Sequence, residues 1–371
     1  MTKARAPALL FAVFVGLAAL ALPLGSAGRW SDHATALALW LAALVLAVLA
    51  LRLPRVTAAG AALAASAAGA TALYVLLDAG AEGAAASGLW AGVVALGAIV
   101  WTALEGGAAL SAERRHRVLG LAVPALFGAW LLYLWQIATV GFDVPSVLLP
   151  PPSQIAVAFA SSLGLLAEDF VQTFIKSMVP GYIIGCGAGL LVAIVADRVP
   201  FLRRGLLPIG NLVSALPIVG VAPIMVMWFG FDWQSKAAVV VIMTFFPMLV
   251  NALAGLNALD RVGHDLMRTY AASYGQTMCL ARLPAALPFI FNALKVNSTL
   301  ALIGAIVAEF FGTPIVGMGF RISAEVGRMN IAMVWASIVV AAVTGSLSYG
   351  AIALVERSLT FWHPSIRNAS S

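Results

Sequence analysis

The residues best suited to specific chemistry are concentrated at positions 265–288, which read DLMRTYAASYGQTMCLARLPAALP. Asp265, Arg268 and Arg282 are spread through this stretch, and an ionised side chain at the centre of a membrane helix costs about 2.5–3.5 kcal/mol or more. The stretch therefore does not span a membrane, although strongly apolar runs flank it on both sides. Charged and aromatic side chains outside a bilayer are suited to binding a partner.

A helix is predicted from Asp265 to about Ala281, since this segment contains one Gly and no Pro. Asp265 is expected near its start, where the helix dipole favours an acid. Leu283-Pro284 is expected to end it, because Pro lacks an N–H and restricts the residue before it.

Leu266, Tyr270 and Tyr274 follow one another at intervals of four residues, which places them on one face of the predicted helix. A short exposed helix with such a face suits docking on a partner. An ordinary loop helix shows the same local pattern, so these residues alone leave both interpretations open.

The composition indicates which elements must position this stretch. The chain has 371 residues, of which 62% are hydrophobic and 10% charged. Soluble domains have about 25% charged residues, so the fold class predicted is an all-α polytopic membrane protein. The predicted spans are the ten apolar runs at 8–24, 34–51, 57–77, 88–104, 119–140, 179–196, 206–229, 237–256, 289–308 and 331–354.

The first apolar run follows Lys3 and Arg5, a pattern that also fits a cleaved signal peptide. We interpret it as a span, because ten spans place most basic residues on one side of the membrane, with both termini cytoplasmic. The basic residues expected on the other side are Arg29, Lys176, Lys236, Arg321 and Arg328.

Neither catalysis nor energy conversion is indicated by any sequence pattern. The chain has no G-x-x-x-x-G-K-[ST] P-loop, no nucleophile elbow and no H-E-x-x-H zinc pattern. Its net charge of +6 comes from short basic clusters between apolar runs, which excludes a nucleic-acid partner. No catalytic residue, metal site or cofactor is therefore expected here, and energy is expected from a partner.

The stretch at 265–288 resembles the EAA loop of ABC importer permeases, whose pattern is E-A-A-x-x-x-G, nine residues, then I-x-L-P. Aligning Leu283-Pro284 with the final L-P places Asp265 at the Glu position and Ala271 at the Gly position. Further segments resemble the same permeases: LPPP at 149–152, ALPIVGVAPIMVMWFG at 215–230 and a G-L-G turn, here GMG, at 317–319.

The resemblance implies the transmembrane subunit of an ABC importer, in the branch that serves nitrate, taurine, alkanesulfonates and the pyrimidine precursor of thiamine. The fragments RTYAASYGQTMCLARLPAALPF and ALIGAIVAEF look most similar to the pyrimidine-precursor and riboflavin members. It further implies a homodimer in the bacterial inner membrane, surrounded by lipid, with cytoplasmic ATPase subunits that bind ATP and Mg²⁺ and an extracytoplasmic solute-binding protein.

The domains expected are a four-helix extension at 1–118, of unknown role, and a six-helix permease core at 119–371. The basic cluster at 113–117 separates them, and the composition changes after it. The residues that the resemblance assigns to the ATPase-coupling helix, at about 265–282, and to its end are Asp265, Arg268, Tyr270, Ala271, Ala272, Leu283 and Pro284.

Pro217, Met225, Asn297 and Glu309 are candidates for the translocation pathway, because prolines and polar groups within spans are tolerated where they line a cavity or are covered by protein. Polar groups in spans also hold helices together, so a packing role for Asn297 and Glu309 stays open. Two other function classes remain: an ion-gradient-driven secondary transporter, which would need an intramembrane acid such as Glu309, and a non-transporting membrane scaffold.

Overall fold

The computed structural model describes residues 5–114, 117–214, 217–312 and 315–361, and every regular element in these ranges is helical. Eight of the described helices are long and apolar enough to cross a membrane, and two shorter ones, at 6–21 and 218–229, are also apolar. The predicted fold class, an all-α polytopic membrane protein with about ten spanning helices, is confirmed.

The chain forms two compact units, unit 1 at residues 1–155 and unit 2 at residues 156–371. The predicted boundary at 118/119, between the four-helix extension and the permease core, concerns function and not packing, so it stays a prediction. Unit 1 contains α1 (Arg5–Ala21), α2 (Ala34–Arg52), α3 (Arg55–Asp78), α4 (Ser87–Arg114) and α5 (Arg117–Gly141). After α6 (Pro152–Ser161), unit 2 continues with α7 (Leu163–Phe170), a π-helical segment (Val171–Met178), α8 (Val179–Arg198), α9 (Pro200–Ser214), α10 (Ile218–Phe229), α11 (Trp233–Leu256), α12 (Arg261–Thr269), α13 (Tyr274–Thr277), a second π-helical segment (Met278–Arg282), α14 (Leu283–Glu309), α15 (Met318–Gly327) and α16 (Ile331–Leu359).

The core of unit 1 is built around Trp40, whose side chain is fully buried. Gly16, Gly69 and Gly92, on three other helices, lie against the indole ring, and an added Cβ atom at each would be 2.6–3.0 Å from a neighbouring leucine side chain. The Trp40 indole N–H donates a hydrogen bond to the Gly16 carbonyl at 3.1 Å. Small residues therefore allow the helices of unit 1 to pack closely around one large side chain.

In unit 2, Gly181, Gly185 and Gly189 lie four residues apart on α8 and pack against α11. A Cβ atom at Gly185 would lie 2.1 Å from the Thr244 hydroxyl oxygen, and one at Gly189 would lie 2.5 Å from the Phe245 carbonyl oxygen. Neither distance is possible for a real side chain. The absence of side chains at these glycines therefore allows α8 and α11 to pack closely.

Three predicted spans in unit 2 have different limits in the structure. The predicted spans 179–196 and 289–308 are parts of two continuous helical stretches of 36 residues, 163–198 and 274–309, each of which contains a π-helical segment. The predicted span 206–229 is two helices, because α9 ends at Ser214 and Pro217, in extended conformation, caps α10.

Candidate functional site

α12 is an exposed helix between α11 and α13, and the structure buries none of its residues. It begins at Arg261, because the Asp260 side chain accepts a hydrogen bond from the Gly263 N–H at 2.8 Å and caps the first turn. Asp265 therefore lies in the second turn. Its predicted place near the helix start is wrong by about one turn, since the capping residue was not recognised.

The end of α12 is a Schellman turn, in which two N–H groups bond back to the last carbonyls of the helix. The Ala271 N–H donates to the Arg268 carbonyl at 2.9 Å, and the Ala272 N–H donates to the Met267 carbonyl at 3.0 Å. Ala271 has a left-handed conformation with φ +49°. This position usually carries Gly, which gives a physical reason for the Gly in the pattern that Ala271 was aligned with.

A new helix starts directly after this turn. Ser273 and Gln276 form a capping box, in which the Ser273 N–H donates to the Gln276 side chain at 2.8 Å and the Gln276 N–H donates to the Ser273 hydroxyl at 3.3 Å. The predicted continuous helix from 265 to 281 is therefore wrong, because two capping motifs interrupt it within five residues.

The exposed apolar face of α12 also differs from the prediction. Tyr274 belongs to α13, so it does not continue the face formed by Leu266 and Tyr270. The third residue of this face is Val262, one turn before Leu266. Val262, Leu266 and Tyr270 lie four residues apart and are 74%, 54% and 77% exposed. We call these three residues the α12 apolar row.

Leu283-Pro284 does not end a helix, contrary to the prediction. The π-helical segment Met278–Arg282 continues directly into α14, and the Leu283 N–H donates to the Met278 carbonyl five residues earlier. The wider π turn accommodates the proline ring, and Pro284 lies in the first turn of α14, where proline is tolerated.

Where α12 is attached to the long helices, one largely buried ion pair connects four elements: α8, α11, α13 and the second π-helical segment. Arg282 donates from both terminal nitrogens to the two carboxylate oxygens of Asp197 at 2.7 Å, and its Nε donates to the Leu256 carbonyl at 2.9 Å. The Tyr274 hydroxyl donates to the same carboxylate at 3.0 Å. We call Asp197, Arg282, Tyr274 and the Leu256 carbonyl the α12 joint.

At the opposite end of the long helices, three buried side chains cap the start of α15. The N–H groups of residues 317–319 donate in order to the Asp169 carboxylate at 2.8 Å, the Thr173 hydroxyl at 2.8 Å and the Glu309 carboxylate at 2.7 Å. The Thr173 hydroxyl in turn donates to Glu309 at 2.9 Å. We call this arrangement, together with Arg321, the α15 clamp.

Arg321 completes the clamp by donating its Nε–H to Asp169 at 2.8 Å, in a pair whose side chains are 9% and 0% exposed. Both carboxylates of the clamp are therefore satisfied inside the protein. These contacts join α7 and the first π-helical segment to the end of α14 and the start of α15.

Comparison with known proteins identifies the family. Residues 185–361 match the model of the binding-protein-dependent transport system inner membrane component. An aliphatic sulfonates transport permease protein of Bacillus subtilis is 30% identical over 248 residues, which cover 66% of this chain and 88% of the relative. The chain belongs to this family of ABC transporter permeases.

The permease is also similar to proteins named for other solutes. A formylaminopyrimidine transport permease protein of Halalkalibacterium halodurans is 30% identical over 64% of this chain and 95% of the relative. A riboflavin transport system permease protein of Chloroflexus aurantiacus is 28% identical over 67% of this chain and 91% of the relative. The permease is thus a multi-pass inner-membrane transport subunit.

The residues predicted for coupling lie in two places in the permease. Asp265 and Arg268 are exposed on α12, and the others follow at its end and at the start of α14. The residues at the end of α12 are Tyr270, Ala271 and Ala272, and those at the start of α14 are Leu283 and Pro284.

The residues predicted for the pathway are scattered through unit 2. Asn297 is fully buried, and its side-chain N–H₂ donates to the Thr244 carbonyl at 2.8 Å and to the Cys186 sulfur at 3.2 Å. Glu309 belongs to the α15 clamp. Met225 is buried in α10, and Pro217 is exposed where α10 begins. The contacts of Asn297 and Glu309 support the packing role that the sequence left open.

Sequence reasoning missed Asp197, Asp169 and Thr173 as members of the two polar clusters. Their partners are 77 to 152 residues away along the chain. The available signal was the position of each acid near the end of a span, where a buried charge needs a partner.

Proposed function

We propose that this chain forms the transmembrane half of an ATP-driven importer and is coupled to a separate ATPase through α12. The observation that carries the proposal is the α12 apolar row, an exposed apolar surface on a helix with no buried residue, held between the ends of two long helices. Such a surface outside the membrane is costly unless a partner covers it. In a permease family whose transport is ATP-driven, the fitting partner is the ATPase.

Within this proposal, the α12 apolar row fills a groove of the ATPase, while Asp265 and Arg268 contact its polar rim. Ala271 and Ala272 form the turn that sets the direction of α12, and Leu283-Pro284 joins α14 to the preceding π turn. ATP and Mg²⁺ are bound by the ATPase. Two copies of the chain, two ATPase subunits and an extracytoplasmic binding protein complete the importer, and both termini are cytoplasmic.

For the pathway, we propose the surface next to Pro217 and Met225. The break before α10 lies beside an apolar cavity of about 110 Å³ between α9, α10, α11 and α14. Its lining includes Val213, Ile218, Val221, Val239, Ile242, Met243, Pro247 and Leu300. Asn297 and Glu309 act on this pathway by holding the helices that form it.

The solute we propose is a small organic molecule, with a thiamine pyrimidine precursor or a riboflavin-like heterocycle ahead of sulfonate, taurine or nitrate. The similarity of residues 268–289 and 301–310 to the heterocycle members supports this order. Uptake of a radiolabelled pyrimidine precursor, measured with each other solute as competitor, tests it. Stronger competition by an alkanesulfonate than by riboflavin would reverse the order.

The coupling proposal is tested by extracting the wild-type protein in mild detergent and asking whether an ATPase co-purifies. Leu266→Asp and Tyr270→Asp introduce a charge into the α12 apolar row and should abolish co-purification. His264→Asp is the matched control, because it adds the same charge to an exposed position on the opposite face of the same helix. Transport that proceeds with no ATPase bound would overturn the proposal in favour of an ion-gradient-driven carrier, and absence of both transport and an ATPase would favour a scaffold.

A further inference from the structure

We propose that the Asp197–Arg282 ion pair is the positioning element that transmits movement of α12 to the transmembrane helices. The proposal rests on the proposed function, since it concerns how ATPase movement reaches the membrane. Asp197 and Arg282 do not touch solute or ATPase in it, and they act by fixing where the segment that carries α12 leaves and rejoins the long helices.

The path of the chain supports this role. The segment that carries α12 leaves α11 directly after Leu256 and returns at Tyr274. Arg282 holds the departure point through the Leu256 carbonyl, and Asp197 holds the return point through the Tyr274 hydroxyl. Because Arg282 and Asp197 are bonded to each other, both ends of the segment are attached to one ion pair.

The geometry and burial of the ion pair restrict its movement. Two parallel N–H···O bonds of 2.7 Å fix the guanidinium and carboxylate planes, and the Asp197 and Arg282 side chains are only 3% and 12% exposed. The Leu256 carbonyl ends α11, where the helix dipole favours a cation. α12 itself has no buried side chain. A displacement of α12 is therefore passed on through the joint to α8, α11 and α14 together.

A second ion pair in the same unit provides a matched control. Lys295 and Glu356 are also 2.7 Å apart, with both side chains 16% exposed, and they join α14 to α16. Lys295 lies thirteen residues after Arg282 on the same continuous helix, about 20 Å along its axis. Breaking this pair removes a similar contact without touching the segment that carries α12.

The experiment compares Asp197→Asn with Glu356→Gln in the full importer, purified with its ATPase and reconstituted with its binding protein. Three quantities are measured: ATPase bound per permease, ATP hydrolysed, and solute transported per ATP. Asp197→Asn should retain the bound ATPase and its hydrolysis but lower transport per ATP by about tenfold, whereas Glu356→Gln should leave this ratio within about twofold of wild type.

Three further variants keep the test decisive if Asp197→Asn does not fold. Arg282→Lys keeps the charge but loses the paired geometry, and Tyr274→Phe removes only one hydroxyl, so both should give intermediate ratios. The double variant Asp197→Arg/Arg282→Asp should recover part of the ratio lost in Asp197→Asn. Wild-type ratios in Asp197→Asn, or in both Arg282→Lys and Tyr274→Phe, would overturn the inference. Absence of ATPase from the wild-type preparation would instead contradict the proposed function.

Discussion

The two ends of the paired helices 163–198 and 274–309 hold the neighbouring short helix in different ways. At the α15 clamp, Asp169, Thr173 and Glu309 bind backbone N–H groups of the next helix. At the α12 joint, Asp197 binds only side chains, and the neighbouring helix α12 makes no contribution to the cluster. The clamp therefore binds α15 itself, whereas the joint binds only Leu256 and Tyr274, at the two ends of the segment that carries α12.

This difference indicates which end is available to the ATPase under the proposed function. The clamp fixes a helix firmly inside unit 2, with its two carboxylates fully or almost fully buried. The joint leaves α12 outside the packed helices, with the α12 apolar row exposed, and secures only its points of attachment. The same pair of long helices therefore has one closed end and one end that presents a surface.

The largest effect is expected from breaking the clamp. Asp169→Ala leaves the Arg321 guanidinium buried without its carboxylate and frees the N–H of Gly317, which should lower the free energy of unfolding by about 3–5 kcal/mol. Thermal unfolding in detergent, followed by intrinsic tryptophan fluorescence, measures it. Glu325→Gln is the control, because its partner Arg328 is 69% exposed. Equal losses in the two variants would show that the clamp has no special rigidity.

A smaller effect is expected from a methyl group inside the clamp. At Gly319 a Cβ atom would lie 2.2 Å from the Ile306 carbonyl oxygen, so Gly319→Ala must push α15 away and should cost about 1–3 kcal/mol. Gly327, at the other end of α15, has no atom within 4 Å of the same position, so Gly327→Ala serves as control. The same thermal unfolding assay measures this cost. An unchanged unfolding midpoint in Gly319→Ala would contradict the close packing of Gly319 against α14.

The smallest effect is expected at the turn after α12. Ala271→Gly removes the strain of a left-handed alanine, about 1–2 kcal/mol, but adds about 0.4–1 kcal/mol of backbone entropy to the unfolded chain. The net gain in stability of the turn should appear as slower hydrogen exchange of the amides of residues 271 and 272. Ala272→Gly, at a neighbouring residue without positive φ, should instead speed exchange. Faster exchange in both variants would show that the turn is not strained.

The sequence was sufficient for the features that depend on local pattern. Apolar runs predicted the spanning helices, and the motif alignment placed Ala271 where Gly is usual. It was insufficient where distant residues decide the structure. Asp169 and Asp197 obtain their partners through tertiary folding, and no local propensity indicates the π-helical segments or the capping box that divides the predicted coupling helix.

The two cysteines of the chain differ in access, because Cys186 is buried against Asn297 and Cys279 is exposed on the π-helical segment beside the α12 joint. A maleimide reagent should therefore modify Cys279 selectively in the unaltered protein. A fluorophore or spin label attached there would lie three residues from Arg282 without any engineered substitution. A probe attached to the native Cys279 thiol would therefore report changes at the α12 joint during the transport cycle.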